Sequence, residues 1–161
     1  MRNTTLCHIE KDGKYLMLHR IKKDNDLNHD KWVGIGGKFE EKESPEQCNY
    51  REVLEETGLE LTEAEYRGIV TFVSDVWESE IMHIFTSDKF SGNLKDCDEG
   101  ELVWINKKEI YSLPIWEGDK IFLRFIEDKN YPFFSLRLEY KGDELISAQL
   151  GGKNIDYREF L

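Results

Sequence analysis

The chain has 161 residues, a length that suits one domain with a buried core, and 39% of its residues are hydrophobic and 12% aromatic, as in globular proteins. Its formal net charge of −11 argues against non-specific binding to duplex nucleic acid, which needs clustered lysine and arginine. An anionic substrate is still possible, because divalent cations change the sign of a site.

Cysteine usage and hydropathy indicate the compartment. The three cysteines, Cys7, Cys48 and Cys97, show no paired or zinc-type spacing, and such a sparse set is typical of a reducing cytoplasm. No apolar run approaches the roughly 20 residues that cross a bilayer, and no signal peptide is visible. We therefore expect a cytoplasmic protein with no membrane partner, and the sequence says nothing of protein partners.

The first elements in the chain are a hairpin, a loop and a short strand. Residues 4–10 and 15–20 predict two strands around a turn at residues 11–14. Residues 23–30 form a polar loop. Residues 32–37 predict a short strand that runs into a glycine turn.

A helix follows over residues 45–57. Ser44 is a typical N-cap, Pro45 fits the first helical position, and Gln47 completes a capping box with Ser44. Gly58 marks the end of the helix, where a positive φ is commonly needed.

This helix carries three carboxylates, those of Glu52, Glu55 and Glu56, within an arc of about 100°. The opposite face is expected to pack on the core and contains Tyr50, Val53, Leu54 and Thr57. Oxygen ligands at this spacing suit hard cations such as Mg²⁺ or Mn²⁺. A solvated acidic face would show the same run, so the helix alone leaves both interpretations open.

The rest of the chain predicts three more strands, a second helix and a final hairpin. These elements are strands 66–73, 80–87 and 101–105, helix 117–129, and hairpin strands 133–140 and 144–150. The order predicts a single mixed α/β domain over residues 1–150. The tail, residues 151–161, has no assigned role.

The segment before and within the first helix resembles a known motif. Gly37 is followed after five residues by Glu43, and after seven more by Arg51-Glu52, with Glu55-Glu56 and Gly58-Leu59 completing the pattern. This spacing resembles the Nudix box at every position, over residues 37–59. The resemblance implies a Nudix α/β/α sandwich with a mixed central sheet. It also implies an enzyme that hydrolyses nucleoside diphosphates linked to a further group.

The resemblance also implies roles for the box residues. Glu52, Glu55 and Glu56, with the carbonyl of Gly37, would hold Mg²⁺, with Mn²⁺ possible. Glu52 would orient or deprotonate the attacking water, and Arg51 would orient Glu52. From the residues alone, the turn of Gly34, Gly36 and Gly37 either lets backbone approach a ligand or is a plain turn.

Family members often recruit one further acid from a distant loop. In this chain Glu99 is the first choice and Asp98 the second, and an ordinary acidic turn is the alternative. Lys38 and Arg20 are candidate phosphate contacts, because cations beside a glycine loop or at a strand end can reach an anion. For Arg20, a solvated strand end is equally compatible with the sequence.

Three stretches, residues 31–38, 96–105 and 113–123, are similar to the MutT-type subgroup of the family. Members of this subgroup hydrolyse oxidised purine nucleotides such as 8-oxo-dGTP, which sanitises the nucleotide pool and is linked to DNA repair. Trp116 would stack on the purine, Asp119 would read its edge, and Trp32 would line the pocket. Core packing for both tryptophans, and a helix-start acid for Asp119, are the alternatives. The mammalian enzymes carry an asparagine where Val33 stands, so base selectivity here is expected to differ.

Other functions remain open at this point. A Nudix enzyme of another substrate, such as an ordinary NTP, ADP-ribose or an RNA 5′ end, fits the same box. A non-catalytic Nudix domain that senses a nucleotide is the alternative from a different class.

Overall fold

The computed structural model describes residues 1–161 and contains nine strands and two α-helices. The strands are β1 (Arg2–Lys11), β2 (Lys14–His19), β3 (Trp32–Val33), β4 (Glu60–Ser74), β5 (Glu80–Ser91), β6 (Glu101–Asn106), β7 (Phe134–Lys141), β8 (Glu144–Leu150) and β9 (Lys153–Asn154). The helices are α1 (Pro45–Thr57) and α2 (Asp119–Glu127), and short 3₁₀ turns occupy Ile110–Ser112 and Tyr157–Phe160.

The strands form one mixed sheet in the order β3-β2-β1-β5-β4-β7-β8-β9, with β6 paired to β2. The β1–β5 and β4–β7 pairs are parallel, and the other pairs are antiparallel. The predicted fold class, an α/β domain with a mixed central sheet and the box helix, is confirmed.

The two helices lie against opposite faces of this sheet. Along β2, Tyr15 and Met17 belong to a core cluster that includes Ile121 and Phe122 of α2. The alternate residue Leu16 belongs to a second cluster that includes Val53 of α1. Because successive strand residues point to opposite faces, the arrangement is an α/β/α sandwich.

Helix α1 begins and ends as its sequence predicts. The Ser44 side chain accepts a hydrogen bond from the Gln47 backbone, the reciprocal bond completes the capping box, and Gly58 ends the helix at φ 79°. The predicted core face is only partly right, since Val53 is buried but Tyr50 and Leu54 are 37% and 48% exposed. The buried α1 residues are Cys48, Asn49, Val53 and Thr57.

Several element boundaries differ from the sequence prediction, among them the end of β3 at Val33 and the end of β5 at Ser91. Strand β4 begins at Glu60 instead of residue 66, because its polar first part pairs with the end of β5 through register shifts. Helix α2 begins at Asp119 and ends at Glu127, where Asp128 turns to an extended conformation. The buried Arg67 then donates hydrogen bonds to the Ile126 and Asp128 carbonyls, which the helix end leaves without partners.

The last eleven residues pack on the domain. Strand β9 pairs with β8, and the Phe160 ring meets Phe125 of α2 edge to face at 5.9 Å. No helix is long and apolar enough to cross a membrane.

Candidate active site

A cavity of about 630 Å³ lies between the glycine turn, α1 and the start of α2. The predicted site residues that line it are Arg20, Gly37, Lys38, Glu52, Glu56, Glu99, Trp116 and Asp119. The fold therefore brings residues from both ends of the sequence to one cavity, with acids at one end and Trp116 and Asp119 at the other.

The glycine turn lies along β1. The Gly37 carbonyl accepts the Thr5 N–H at 2.9 Å, and the Ile35 carbonyl accepts the Cys7 N–H at 2.6 Å. Since alternate carbonyls of an extended segment point in opposite directions, the Gly36 carbonyl points away from β1. A Cβ at Gly37 would lie about 2.5 Å from the Glu52 carboxylate, so a larger residue here would displace the end of the Glu52 side chain.

Arg51 joins the turn to the helix carboxylates. It binds both oxygens of Glu43, at 2.7 and 2.8 Å, and its Nη2 donates to the Lys38 carbonyl at 3.0 Å. Its Nη1 donates to Glu52 at 2.8 Å and to Glu55 at 3.1 Å. The planar guanidinium thereby fixes one Glu52 oxygen, and Glu43 fixes the guanidinium.

Glu56 and Glu99 form a close acid pair in the cavity lining. Glu99 is within hydrogen-bonding reach of Glu56, and Glu56 Oε2 is buried without a partner. Burial, and then the charge of Glu99, raise the pKa of Glu56 well above its ordinary value. Asp98, the second choice in the sequence, is exposed.

Three predicted site residues, Arg51, Glu55 and Trp32, lie outside the cavity lining. The Glu55 side chain is 57% exposed and pairs with Arg51. Trp32 stacks on His19 with ring centroids 4.4 Å apart, and its side chain packs against the core. In this structure Trp32 is a packing residue, while the next residue of β3, Val33, lines the cavity.

At the other end of the cavity, Trp116 and Asp119 are nearly buried, with 5% and 9% exposure. Trp116 meets Phe72 and Tyr140 edge to face, and the Lys31 ammonium lies 4.4 Å from its ring centroid. The sequence predicted Trp116 either in the pocket or in the core, and the structure places it in both.

The loop between β2 and β3 contributes residues that the sequence did not single out. Arg20 Nε binds Asp26 at 2.8 Å, and Arg20 Nη1 binds Glu99 at 2.6 Å. Asp26 also accepts the Asn28 backbone N–H, and Asn28 Oδ1 accepts the Trp116 indole N–H at 2.7 Å. No sequence signal distinguished Asp26 and Asn28 from other polar loop residues, because their partners are far along the chain.

The NUDIX domain model matches residues 1–126 of the chain, which include the cavity acids and the start of α2. The chain belongs to the Nudix family. The intact box therefore identifies a Nudix hydrolase, a pyrophosphohydrolase of nucleotide derivatives, and the non-catalytic sensor is no longer needed as an alternative.

Three Nudix relatives are similar over most of the domain. An uncharacterized Nudix hydrolase, YvcI of Bacillus subtilis, is 32% identical over 78% of this chain and 79% of its own. An oxidized purine nucleoside triphosphate hydrolase of Danio rerio is 31% identical, over 71% and 79%. A CTP pyrophosphohydrolase of Escherichia coli is 32% identical, over 69% and 80%.

A solved structure is similar over nearly the whole chain. The MutT protein of Bacillus halodurans superposes with a TM-score of 0.82 and 26% identity, covering 95% of this chain and 99% of its own. The likeness therefore extends past residue 126, where the family match ends.

Nudix hydrolases generally use divalent metal ions, and the cavity acids fit such an ion. The described side chains do not form a preassembled group of three ligands, since Arg51 holds Glu52 and Arg20 holds Glu99. Glu56 Oε2 is nevertheless buried beside Glu99 without a hydrogen-bond partner, which costs free energy. A bound cation would remove that cost. Carboxylate oxygens are the donors that hard divalent ions prefer.

The buried Asp119 predicts a pH dependence of stability in the metal-free Nudix domain. Burial raises the pKa of Asp119 to about 8, so the folded state keeps a proton that the unfolded state loses near its ordinary pKa. Stability is therefore expected to fall as pH rises from about 4 to about 8.

We expect Asp119→Asn to reduce this loss by at least about 1 kcal/mol between about pH 5 and about pH 8, since one pKa unit corresponds to about 1.4 kcal/mol. Urea unfolding in EDTA at both pH values measures the free energy of unfolding. An equal change in this free energy between the two pH values in the variant and the wild type would show that Asp119 is ionised in the folded protein.

Proposed function

We propose that the chain hydrolyses a nucleoside triphosphate to the monophosphate and pyrophosphate with Mg²⁺, and that its preferred substrate is an oxidised purine nucleotide such as 8-oxo-dGTP. One observation carries the proposal: a single cavity joins Glu52, Glu56 and Glu99 at one end to Trp116 and Asp119 at the other. Its volume of about 630 Å³ lies within the range of small-molecule sites. Such an activity would sanitise the nucleotide pool.

Glu52, Glu56 and Glu99 would hold the Mg²⁺, with Mn²⁺ as a substitute. We assign the backbone ligand to the Gly36 carbonyl in place of Gly37, because the Gly37 carbonyl already bonds Thr5 and Gly36 lines the cavity. When bound, the cation would neutralise phosphate charge and lower the pKa of a coordinated water. Glu55 is the weakest candidate ligand, since its side chain is largely exposed.

Glu52 is the residue that we propose to orient or deprotonate the attacking water. Its carboxylate is half-buried, and burial raises its pKa while the Arg51 hydrogen bond opposes that rise. Arg51 takes one oxygen, so the other remains available on the cavity side. Arg51 is a positioning residue, because it lies outside the cavity lining.

Lys38, Lys23 and Arg20 line the cavity near the acids and are the proposed phosphate contacts. Lys38 is exposed and makes no ion pair, so its ammonium is free to meet an anion. Arg20 already pairs with Asp26 and Glu99, and must exchange a partner to reach phosphate.

The residues at the base end of the cavity are suited to bind a purine base. Trp116, Phe72 and Leu138 supply apolar wall, and Asp119 supplies a polar group that no protein side chain bonds. Trp116 offers a ring for stacking once Lys31 moves from its face. The named activity of the Danio rerio relative, on oxidised purine nucleoside triphosphates, is the same.

A second candidate is the hydrolysis of an ordinary nucleotide such as CTP. It is favoured by the Escherichia coli relative, a CTP pyrophosphohydrolase with a similar level of identity. A small pyrimidine would leave part of the base end unfilled, so we rank it second.

The test is a comparison of kcat/KM for 8-oxo-dGTP, dGTP and CTP in the wild type and in Asp119→Asn, with and without Mg²⁺. We expect Mg²⁺-dependent turnover and the highest value for 8-oxo-dGTP. Asp119→Asn should shrink the preference for 8-oxo-dGTP over dGTP, because it replaces a carboxyl O–H, which can donate and accept, with an amide NH2 that only donates.

Two other outcomes would count against the proposal. A wild-type preference for CTP would favour the second candidate. If the ratio of kcat/KM for 8-oxo-dGTP to that for dGTP is unchanged in Asp119→Asn, the base is read elsewhere. The Mg²⁺ dependence of the variant is the internal control.

A further inference from the structure

Asn28 is a polar side chain at the base end of the cavity that neither the box nor the family comparison singles out. Its Oδ1 accepts the Trp116 indole N–H at 2.7 Å. Because an indole nitrogen can only donate, the atom that faces it must be the amide oxygen, which settles the orientation of the amide. The amide nitrogen Nδ2 therefore points elsewhere, and the structure provides it with no protein acceptor.

The backbone of Asn28 is held as well as its side chain. The Asn28 N–H donates to Asp26 Oδ1 at 3.1 Å, and the other Asp26 oxygen accepts from Arg20 at 2.8 Å. The Asp26 side chain is only 8% exposed, so this anchor is shielded from water. Because both the backbone and the side-chain oxygen of Asn28 are held, the residue loses little conformational entropy when its free side-chain N–H groups bind a ligand.

Part of the cavity wall offers a bound base no hydrogen-bonding group. The Trp116 N–H is already used by Asn28, and Val33, Leu6 and Phe72 of the lining are apolar. Asp119 also lines the cavity and is tied to Trp116, because its backbone N–H bonds the Trp116 carbonyl. Burial keeps Asp119 protonated near neutral pH, so that it too presents a donor.

We propose that Asn28 is a specificity-determining residue that donates an Nδ2–H hydrogen bond to a carbonyl oxygen of the bound base. The inference rests on the proposed function, in that it assumes a purine nucleotide at the base end. Two donors, the Asn28 amide and the Asp119 acid, favour a base edge that is rich in acceptors. The site is thereby selective for purines that carry ring carbonyls over purines that carry an amino group in the same place.

The test uses Asn28→Asp, which keeps an oxygen for the Trp116 N–H and replaces the Nδ2 donor with a second acceptor. Binding of nucleoside monophosphates is measured by calorimetry without metal. One pair, dIMP and dAMP, differs in carbonyl against amino at C6. The other pair, 8-oxo-dGMP and dGMP, differs in the carbonyl at C8.

We expect the wild type to prefer the carbonyl member in at least one pair, and Asn28→Asp to reduce that Kd ratio by about 10-fold, as the loss of one hydrogen bond implies. Asn25→Asp places the same charge on the same loop and is the control. It is expected to weaken all four ligands alike, through repulsion of the phosphate, and to leave both ratios unchanged.

The outcomes separate the possibilities. If Asn28→Asp weakens all four ligands equally, or if the wild type prefers neither carbonyl, Asn28 does not read the base and the inference is wrong. If the ratios behave as expected but the wild type hydrolyses no triphosphate, the proposed function fails while the Asn28 assignment stands. Unfolding curves for both variants show whether the loop change alters the fold.

Discussion

Replacing Glu56 with glutamine is expected to lower kcat by at least about 100-fold at saturating Mg²⁺, because a charge positioned at the reacting phosphate typically contributes several kcal/mol. Glutamine keeps the shape of the side chain and removes its negative charge. In the metal-free protein the variant should be as stable as the wild type or more stable, because Glu56 lies buried beside Glu99. Steady-state kinetics over a Mg²⁺ series measures the first effect.

A metal-binding role for Glu56 also predicts a change in thermal stability. Mg²⁺ should raise the wild-type Tm, because a ligand that binds only the folded state stabilises it, and should raise the Tm of Glu56→Gln less. Glu46→Gln makes the same substitution in the exposed first turn of α1 and is the matched control. Near-wild-type turnover of Glu56→Gln at saturating Mg²⁺ would rule out Glu56 as an essential ligand.

Arg51→Lys is expected to lower kcat by about 10-fold or more with little change in KM, because lysine cannot reproduce the planar fork of donors. Arg51 binds Glu43 through two nitrogens and holds Glu52 through a third contact. A lysine could keep one of these contacts, so Glu52 would lose its fixed orientation while the phosphate contacts of the cavity remain. Kinetics at saturating and at low substrate separates kcat from KM.

The matched control is Arg137→Lys, on the far strand β7, where the arginine makes one surface ion pair with Glu139. We expect wild-type kinetics from it. A large rise in KM at constant kcat for Arg51→Lys would instead place Arg51 on the substrate. An equal loss of activity in both variants would point to a general effect of the substitution on folding.

Local elements of the fold were predictable because their causes are local. The α1 boundaries depend on Ser44, Pro45, Gln47 and Gly58, and each acts on backbone groups within four residues of itself. Strands whose residues alternate between apolar and polar, or form an apolar run, were predicted to within a few residues of their observed limits. The start of β4 was missed because its first residues are polar and are held by pairing with the end of β5.

The box itself was also predictable, since its residues are close in sequence and their spacing is specific. The contact between Arg51 and Glu43 spans eight residues, and that between Arg51 and Glu52 spans one. The family match over residues 1–126 agrees with what the box alone implied. Sequence spacing was sufficient for the class of enzyme.

The sequence by itself determined the α/β class, the box helix and the Nudix family, because these follow from periodicity, capping and short-range spacing. Only the tertiary structure decided that Trp32 lies outside the cavity, that the Gly37 carbonyl is bonded to β1, and that Asn28 meets Trp116. Asn28 and Trp116 are 88 residues apart, and Arg20 and Glu99 are 79 apart. Contacts at such separations depend on strand order and loop path, which no local pattern encodes.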